Sequence, residues 1–154
     1  MPLTDVPTIE VSTEIAAAPS TVWSLVSDPR NIARWSPQNF KTFLRGRPQV
    51  GAKFVNLNRR GLLIWPTQSM IVRYDPEREM AFRVRENWTV WSFVVEPTAT
   101  GTTLIERREA PKGISDLSVR LTNMAFGGTD AFAAELRDGM TDTLAKIKAE
   151  AERG

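Results

Sequence analysis

The sequence predicts an α+β fold in which a curved antiparallel sheet of seven strands wraps one long C-terminal helix. Three observations predict it. Period-two alternation recurs in short segments from residue 8 to residue 109, and helical spacing takes over beyond Pro111. Only two short helical segments interrupt the strands, both directly after the first. The 154 residues suit one domain over positions 1–154. A chain of that length buries about 70% of its unfolded surface, enough for one core or one hollow core.

The first strand is Thr8 to Ile15, where Ile9, Val11, Thr13 and Ile15 alternate with Glu10, Ser12 and Glu14. Pro19 suits a helix start, and Ser20 or Thr21 is expected to satisfy free backbone donors there. Val22, Trp23, Leu25 and Val26 give this helix its apolar side. Asp28 is placed to cap a second short helix, Pro29 to Arg34. Strands follow at Phe40–Leu44, Lys53–Arg59, Leu62–Tyr74, Met80–Arg85, Thr89–Glu96 and Thr102–Glu109, separated by turns rich in Gly, Pro and Asp. Pro66 inside the long strand points to an edge or a bulge. Ile114, Leu117, Leu121 and Met124 fit a first helical stretch, which Gly127-Gly128 interrupts as a bend or a lid hinge. The long helix then runs from Asp130 to Glu152 with an apolar stripe of Phe132, Leu136, Met140, Leu144 and Ile147.

Composition removes whole classes of chemistry. The chain has no Cys and no His, so thiol nucleophiles, disulfides, Cys/His zinc sites, Ser-His-Asp triads and imidazole bases are excluded. No Asp/Glu cluster suggests a carboxylate metal site, and no cofactor is expected. Net charge is +2, and the basic residues form no run longer than two; nucleic acid is therefore not an expected partner. No apolar run reaches the roughly 20 residues of a membrane span. Met1 to Asp5 lacks the features of a signal peptide, so a cytoplasmic location is expected. With no group that ordinarily titrates there, binding is expected to be nearly flat from about pH 6 to 8.

Several stretches in their order resemble a known superfamily. They are Ile9-Glu10-Val11-Ser12, Pro19 through Pro29, Ala33-Arg34-Trp35-Ser36-Pro37, Phe54, Asn58-Arg59-Arg60-Gly61, Asp75-Pro76 and Phe82-Arg83-Val84. Trp91-Ser92-Phe93, Glu96-Pro97, Gly101-Thr102-Thr103-Leu104, Glu106, Gly139-Met140 through Leu144 and Ile147-Lys148 continue the match. The chain resembles the SRPBCC superfamily, the helix-grip fold of START domains and birch-pollen-allergen-like proteins, and within it the polyketide cyclase/dehydrase-like family. That resemblance implies a largely apolar cavity under the C-terminal helix, holding lipids, polyketides or other hydrophobic molecules. It supplies no universal catalytic residue.

The candidate ligand-binding residues are Phe54, Asn56, Asn58, Trp65, Phe82, Val84, Trp91, Phe93, Leu104, Glu106, Arg108, Phe132, Leu136 and Met140. The apolar members also suit a plain filled core. If Leu104 faces inward, alternation turns Glu106 and Arg108 inward too, where they either pair or hold a polar head group; the opposite parity would face Ile105, Arg107 and Glu109 in. Asn56 and Asn58 either present amides to a ligand or serve the turn near Gly61. Tyr74 reads as a sheet-packing or surface residue, Trp23 as helix-to-sheet packing, and Trp35 and Trp65 as mouth or loop braces. Arg59-Arg60 and Arg107-Arg108 otherwise read as solvated strand-end charges. The leading expectation is a binding protein for a hydrophobic or amphipathic small molecule, a monomer or homodimer without integral membrane association. The alternatives are a cyclase- or dehydratase-type enzyme with Glu106 as acid/base and Arg108 stabilising an oxyanion, or a protein-interaction module.

Overall fold

The computed structural model describes residues 6–115 and 129–153. In chain order the elements are β1 (Ile9–Ile15), α1 (Pro19–Val26), a 3-10 helix (Pro29–Arg34), β2 (Asn39–Leu44), β3 (Lys53–Arg60), β4 (Leu63–Asp75), β5 (Glu79–Val84), β6 (Val90–Thr98), β7 (Gly101–Glu109) and α2 (Thr129–Arg153). The seven strands form one antiparallel sheet in the order β1-β7-β6-β5-β4-β3-β2. Strands β2 to β7 are each paired with the next in sequence. Strand β1 alone crosses over, pairing with β7 from Ile9↔Arg108 to Ile15↔Thr102. This is the helix-grip α+β fold. The first helical stretch expected after Pro111 lies mostly outside the described residues, as do Gly127-Gly128.

Local chemistry explains most boundaries. Asp28 caps the 3-10 helix as expected, its Oδ1 accepting from the Arg30 backbone N–H at 3.0 Å. Helix α1 departs from expectation: no side chain caps it, and the Thr21 and Val22 N–H groups donate instead to the Ala18 carbonyl. Pro66 lies in a strand that is internal to the sheet, yet it costs no ladder bond on both sides. Strand β5 pairs with β4 only from Ser69 to Asp75, so the Leu63–Thr67 stretch has ladder partners on β3 alone and a locally free edge. The bulge sits elsewhere, between Ile71 and Arg73.

Helix α2 rests on the β1 end of the sheet and on α1. Leu144, Ile147 and Ala151 join Ile15, Val22, Val26, Phe93 and Leu104 in one core cluster. Polar contacts fix the same half of the helix. The Trp35 indole N–H donates to Glu150 at 2.9 Å, Arg34 pairs with Glu150, and the Ala16 N–H donates to Glu152 at 2.8 Å. Trp35 thus braces its loop against α2, one of its two anticipated roles. Trp23 meets Tyr74 edge to face at 5.3 Å between centroids, so both are packing residues. The stripe on α2 is unevenly used: Met140, Leu144 and Ile147 are buried, while Phe132 and Leu136 are half-buried.

The β6–β7 hairpin requires a glycine. A Cβ on Gly101 would stand 2.2 Å from the Ile15 carbonyl oxygen, a backbone atom fixed by the β1–β7 ladder. Gly101→Ala is expected to cost about 3 kcal/mol through overpacking against atoms that cannot rotate away. Urea denaturation of the variant beside the parent measures it.

Candidate ligand site on the concave face

The register of β7 decides which side chains face α2. Leu104 packs in the core with Leu144, and Glu106 and Arg108 share its face. Across the ladders, Thr13, Val11 and Ile9 of β1 and Val95, Phe93 and Trp91 of β6 stand opposite Leu104, Glu106 and Arg108. The same face continues through Phe82 and Val84 of β5 and Ile71 and Ser69 of β4. It reaches Phe54, Asn56 and Asn58 of β3, opposite Ser69, Thr67 and Trp65. Every candidate ligand-binding residue on a strand therefore lies on one surface of the sheet. From α2, Met140 is buried, and Leu136 and Phe132 lie half-buried one and two turns before it.

The apolar part of this surface is closely packed. Phe54 and Phe82 meet edge to face at 5.1 Å. Asn56 and Asn58 each engage one amide atom across the strands. Asn56 Oδ1 accepts from Thr42 Oγ1 at 2.7 Å, and Asn39 Nδ2 donates to the same hydroxyl at 3.1 Å. Asn58 Nδ2 donates to Thr67 Oγ1 at 3.1 Å and to the Trp65 carbonyl at 3.3 Å. A polar strip of Asn39, Thr42, Asn56, Asn58 and Thr67 thus crosses β2–β4 beside the aromatic surface.

Glu106 and Arg108 differ from that strip. They are 6% and 5% exposed, so neither is a solvated strand-end charge. Glu106 Oε1 and Arg108 Nε have no hydrogen-bond partner, and no ion pair joins the two side chains among the described residues. The pairing envisaged from sequence is not made. Burial drives both toward neutrality: the Glu106 carboxyl is pushed up to about 8, and the Arg108 guanidinium is pulled below its usual range. Glu106 is thus a protonated acid at neutral pH, and it begins to ionise inside the pH window where a flat response is expected from composition. Ser69 Oγ, between Phe54 and Val84 in the ladders, is buried and has no partner among the described residues either. Sequence reading misses Ser69; the alternation from Trp65 through Thr67 is the signal that would have found it.

Among the described residues no group of three or more Asp and Glu is placed to hold a metal ion. No helix among them is long and apolar enough to cross a membrane. One concavity of about 400 Å³ lies between Val11, Ser12 and Thr13 of β1 and Thr141, Leu144, Ala145 and Lys148 of α2. A second, of about 1030 Å³, lies at β2–β5, and of the predicted site residues only Phe54 lines it.

The sequence matches the family model described as polyketide cyclase / dehydrase and lipid transport over residues 6–152. The fold and this match make the chain a helix-grip protein of the SRPBCC class. It belongs to the polyketide cyclase/dehydrase and lipid transport family. No curated protein matches the sequence. Among solved structures, the di-domain ARO/CYC protein StfQ of the steffimycin biosynthetic pathway superposes with a TM-score of 0.73 at 16% identity, over 95% of this chain and 50% of that one. The chain therefore spans half of StfQ. Cgl2372, a Polyketide_cyc-like protein from Corynebacterium glutamicum, has a TM-score of 0.60 at 26% identity, over 92% of this chain and 88% of that chain. CV1439 from Chromobacterium violaceum has a TM-score of 0.67 at 16% identity, over 96% and 99%.

The buried acid sets a pH dependence. Because the folded chain holds the Glu106 proton more tightly than the unfolded chain, stability from this group is full below pH 4.5 and is lost as pH rises toward about 8. Glu106→Gln removes that dependence. The variant should gain on the parent by up to about 1.4 kcal/mol per pH unit across this range and be the more stable protein at pH 8.5. Urea titrations of both proteins at several pH values test this; parallel curves would refute it.

Proposed function

We propose that the protein binds a hydrophobic or amphipathic small molecule against the concave face of the sheet, with Glu106 and Arg108 orienting its polar end. The observation that carries this reading is a buried carboxyl and a buried guanidinium with unpartnered atoms on one face of one strand. Leaving such groups without partners costs roughly 1–3 kcal/mol each, and a ligand's polar end returns those hydrogen bonds. The neighbours Phe93, Trp91 and Leu104 supply the apolar surface that holds a hydrocarbon or ring system. A neutral Glu106 donates a hydrogen bond to a ligand carbonyl or hydroxyl, while Arg108 receives an anionic or enolic oxygen. Membership of a family named for cyclases and lipid transport agrees with a ligand of this class.

A second reading uses the same residues for chemistry. A carboxylic acid that keeps its proton to about 8 suits general acid/base work near neutrality, as a cyclisation or dehydration needs. The two readings separate on Glu106→Gln: turnover disappears in an enzyme, whereas a binder changes only affinity.

Native mass spectrometry of gently purified protein, followed by extraction of any adduct, tests the proposal. A stoichiometric hydrophobic adduct is expected, with occupancy reduced at least tenfold in Arg108→Met. A bare protein mass that persists after incubation with lipid and polyketide mixtures would sink the binding reading.

A further inference from the structure

The near-neutral net charge conceals a polarised molecule. Residues 29–74 contain nine Lys and Arg and not one Asp or Glu, although the whole chain is only +2. This stretch forms the 3-10 helix and the β2–β3–β4 wing of the sheet up to Tyr74, one residue short of the end of β4 at Asp75. Residue-by-residue dispersion hides it, because no two cations in it form a longer run than Arg59-Arg60.

Apolar exposure falls on the same wing. Every large hydrophobic residue that is exposed among the described residues lies between Phe40 and Met70. At the β3–β4 apex, Leu62, Leu63 and Ile64 are three consecutive exposed aliphatic residues, Leu62 at 103%. A run of that kind is costly in water unless it has a use. Phe40 is exposed beside them, under the Arg59 guanidinium at 5.2 Å.

On the outer face, opposite to Phe54 and Ser69, the register gathers Phe43, Val55, Gln68, Met70 and Arg83. These residues line the 1030 Å³ concavity together with Arg45, Lys53, Arg85 and Arg30; Thr42, Leu44, Phe54 and Ser69 line it from the concave side, and no carboxylate lines it among the described residues. Arg30 is held by Asp28 at 2.8 Å, and Arg85 Nη1 donates to Gln68 Oε1 at 3.1 Å. Glu86, the carboxylate next in the chain, accepts from the Gln68 N–H at 2.7 Å. The side chains of Arg45, Lys53 and Arg83 have no partner among the described residues. The other half of the same outer face is neutralised across its strands, where Arg107 pairs with Glu10 and Arg73 with Glu79 and Glu109.

We infer that the outer face and apex of the β2–β4 wing form a docking surface for an anionic lipid bilayer. The unpaired cations stand beside Phe43 and Met70 at one end of the β3–β4 ladder, and Leu62, Leu63 and Ile64 stand at its other end; a bilayer offers both ends a partner, a negative surface for the cations and a headgroup boundary for the apolar residues. Nucleic acid matches the charge but offers no aliphatic phase for Leu62, Leu63 and Ile64. A second copy of this chain would bring the same unpaired cations to the contact, and a protruding apex of three side chains falls short of the roughly 800 Å² per partner of a stable interface. The inference does not rest on what fills the concave face, and its test reads the surface alone.

The test is flotation of the full chain with phosphatidylcholine vesicles, with and without about one-third phosphatidylglycerol. The protein should float with the anionic vesicles, remain free with the neutral ones, and be released at about 0.5 M salt. R45E/K53E/R83E and L62S/L63S/I64S should each weaken flotation at least tenfold. Both sets alter exposed or half-exposed side chains, and circular dichroism with unfolding curves verifies that the variants remain folded. Absence of flotation would overturn the proposal, as would unchanged flotation of either folded variant. So would duplex DNA displacing the protein from vesicles with L62S/L63S/I64S binding that DNA as the parent does, or a dimer that only this variant abolishes.

Discussion

The β1–β7 ladder is the contact on which the architecture depends. It joins residues 9–15 to residues 102–108, the longest-range strand pairing in the chain, and it fixes three things at once. It places β1 at the far edge from β2, so α1 and the 3-10 helix must span the sheet between them. It sets Ile15 against the hairpin at Gly101, where no side chain fits. It also presents β1 to α2, whose Lys148 donates to the Glu14 carbonyl at 2.6 Å and whose Leu144 and Ile147 close the core. A ladder between the two ends of the strand sequence is formed only after a large loop-closure entropy is overcome. Its stability must come from what covers it, and that is the C-terminal half of α2.

The same ladder sorts four consecutive charged residues, Glu106, Arg107, Arg108 and Glu109, onto two surfaces. Outside, Arg107 meets Glu10, and Glu109 meets Arg73. Such exposed pairs contribute at most about 1 kcal/mol each. Inside, Glu106 and Arg108 stand two residues apart on one strand, with no ion pair between them among the described residues. A mutual pair would have offset part of their desolvation. The sheet instead keeps each among apolar neighbours, so the carboxyl retains its proton and the guanidinium is destabilised as a cation. The concave face therefore carries its polarity as neutral or weakened donors, a state suited to a hydrophobic ligand with one polar end.

Much of this was legible in the residues. Alternation in Ile9–Ile15 and Thr102–Glu109, Asp28 before Pro29-Arg30, and the i/i+4 stripe of α2 are local signals, and the elements they specify formed at nearly the expected bounds. The inward parity of Glu106 follows from Leu104 two residues earlier. What was not legible depends on strand neighbours. Pro66 is tolerated because β5 is too short to reach it. Asn56 Oδ1 and Asn58 Nδ2 bond Thr42 and Thr67, residues far enough away in sequence that only the β2–β3–β4 register brings them together. Glu106 and Arg108 looked capable of pairing, and spacing alone carries no information about where their side-chain atoms end.

Charge shows the same limit at a larger scale. A net charge of +2 is a difference, and it says nothing about separation. The acid-free stretch 29–74 and the acid-rich remainder, which includes Glu10, Glu14, Glu79, Glu109, Glu135 and Glu150, give the molecule two electrical ends. A field of that shape orients a protein before contact, so a near-neutral chain can approach an anionic surface with one end forward. Ion pairs then show where the polarity is used up. Arg60 reaches across to Glu135 on α2 at 3.0 Å, tying the wing to the acidic helix, while Arg45, Lys53 and Arg83 remain without partners among the described residues. The uncompensated charge is thus concentrated on the outer face of β2–β5, turned away from the protonated Glu106. The two surfaces ask for opposite environments, one dry and apolar, the other anionic and wet. A single antiparallel sheet supplies both because its side chains alternate.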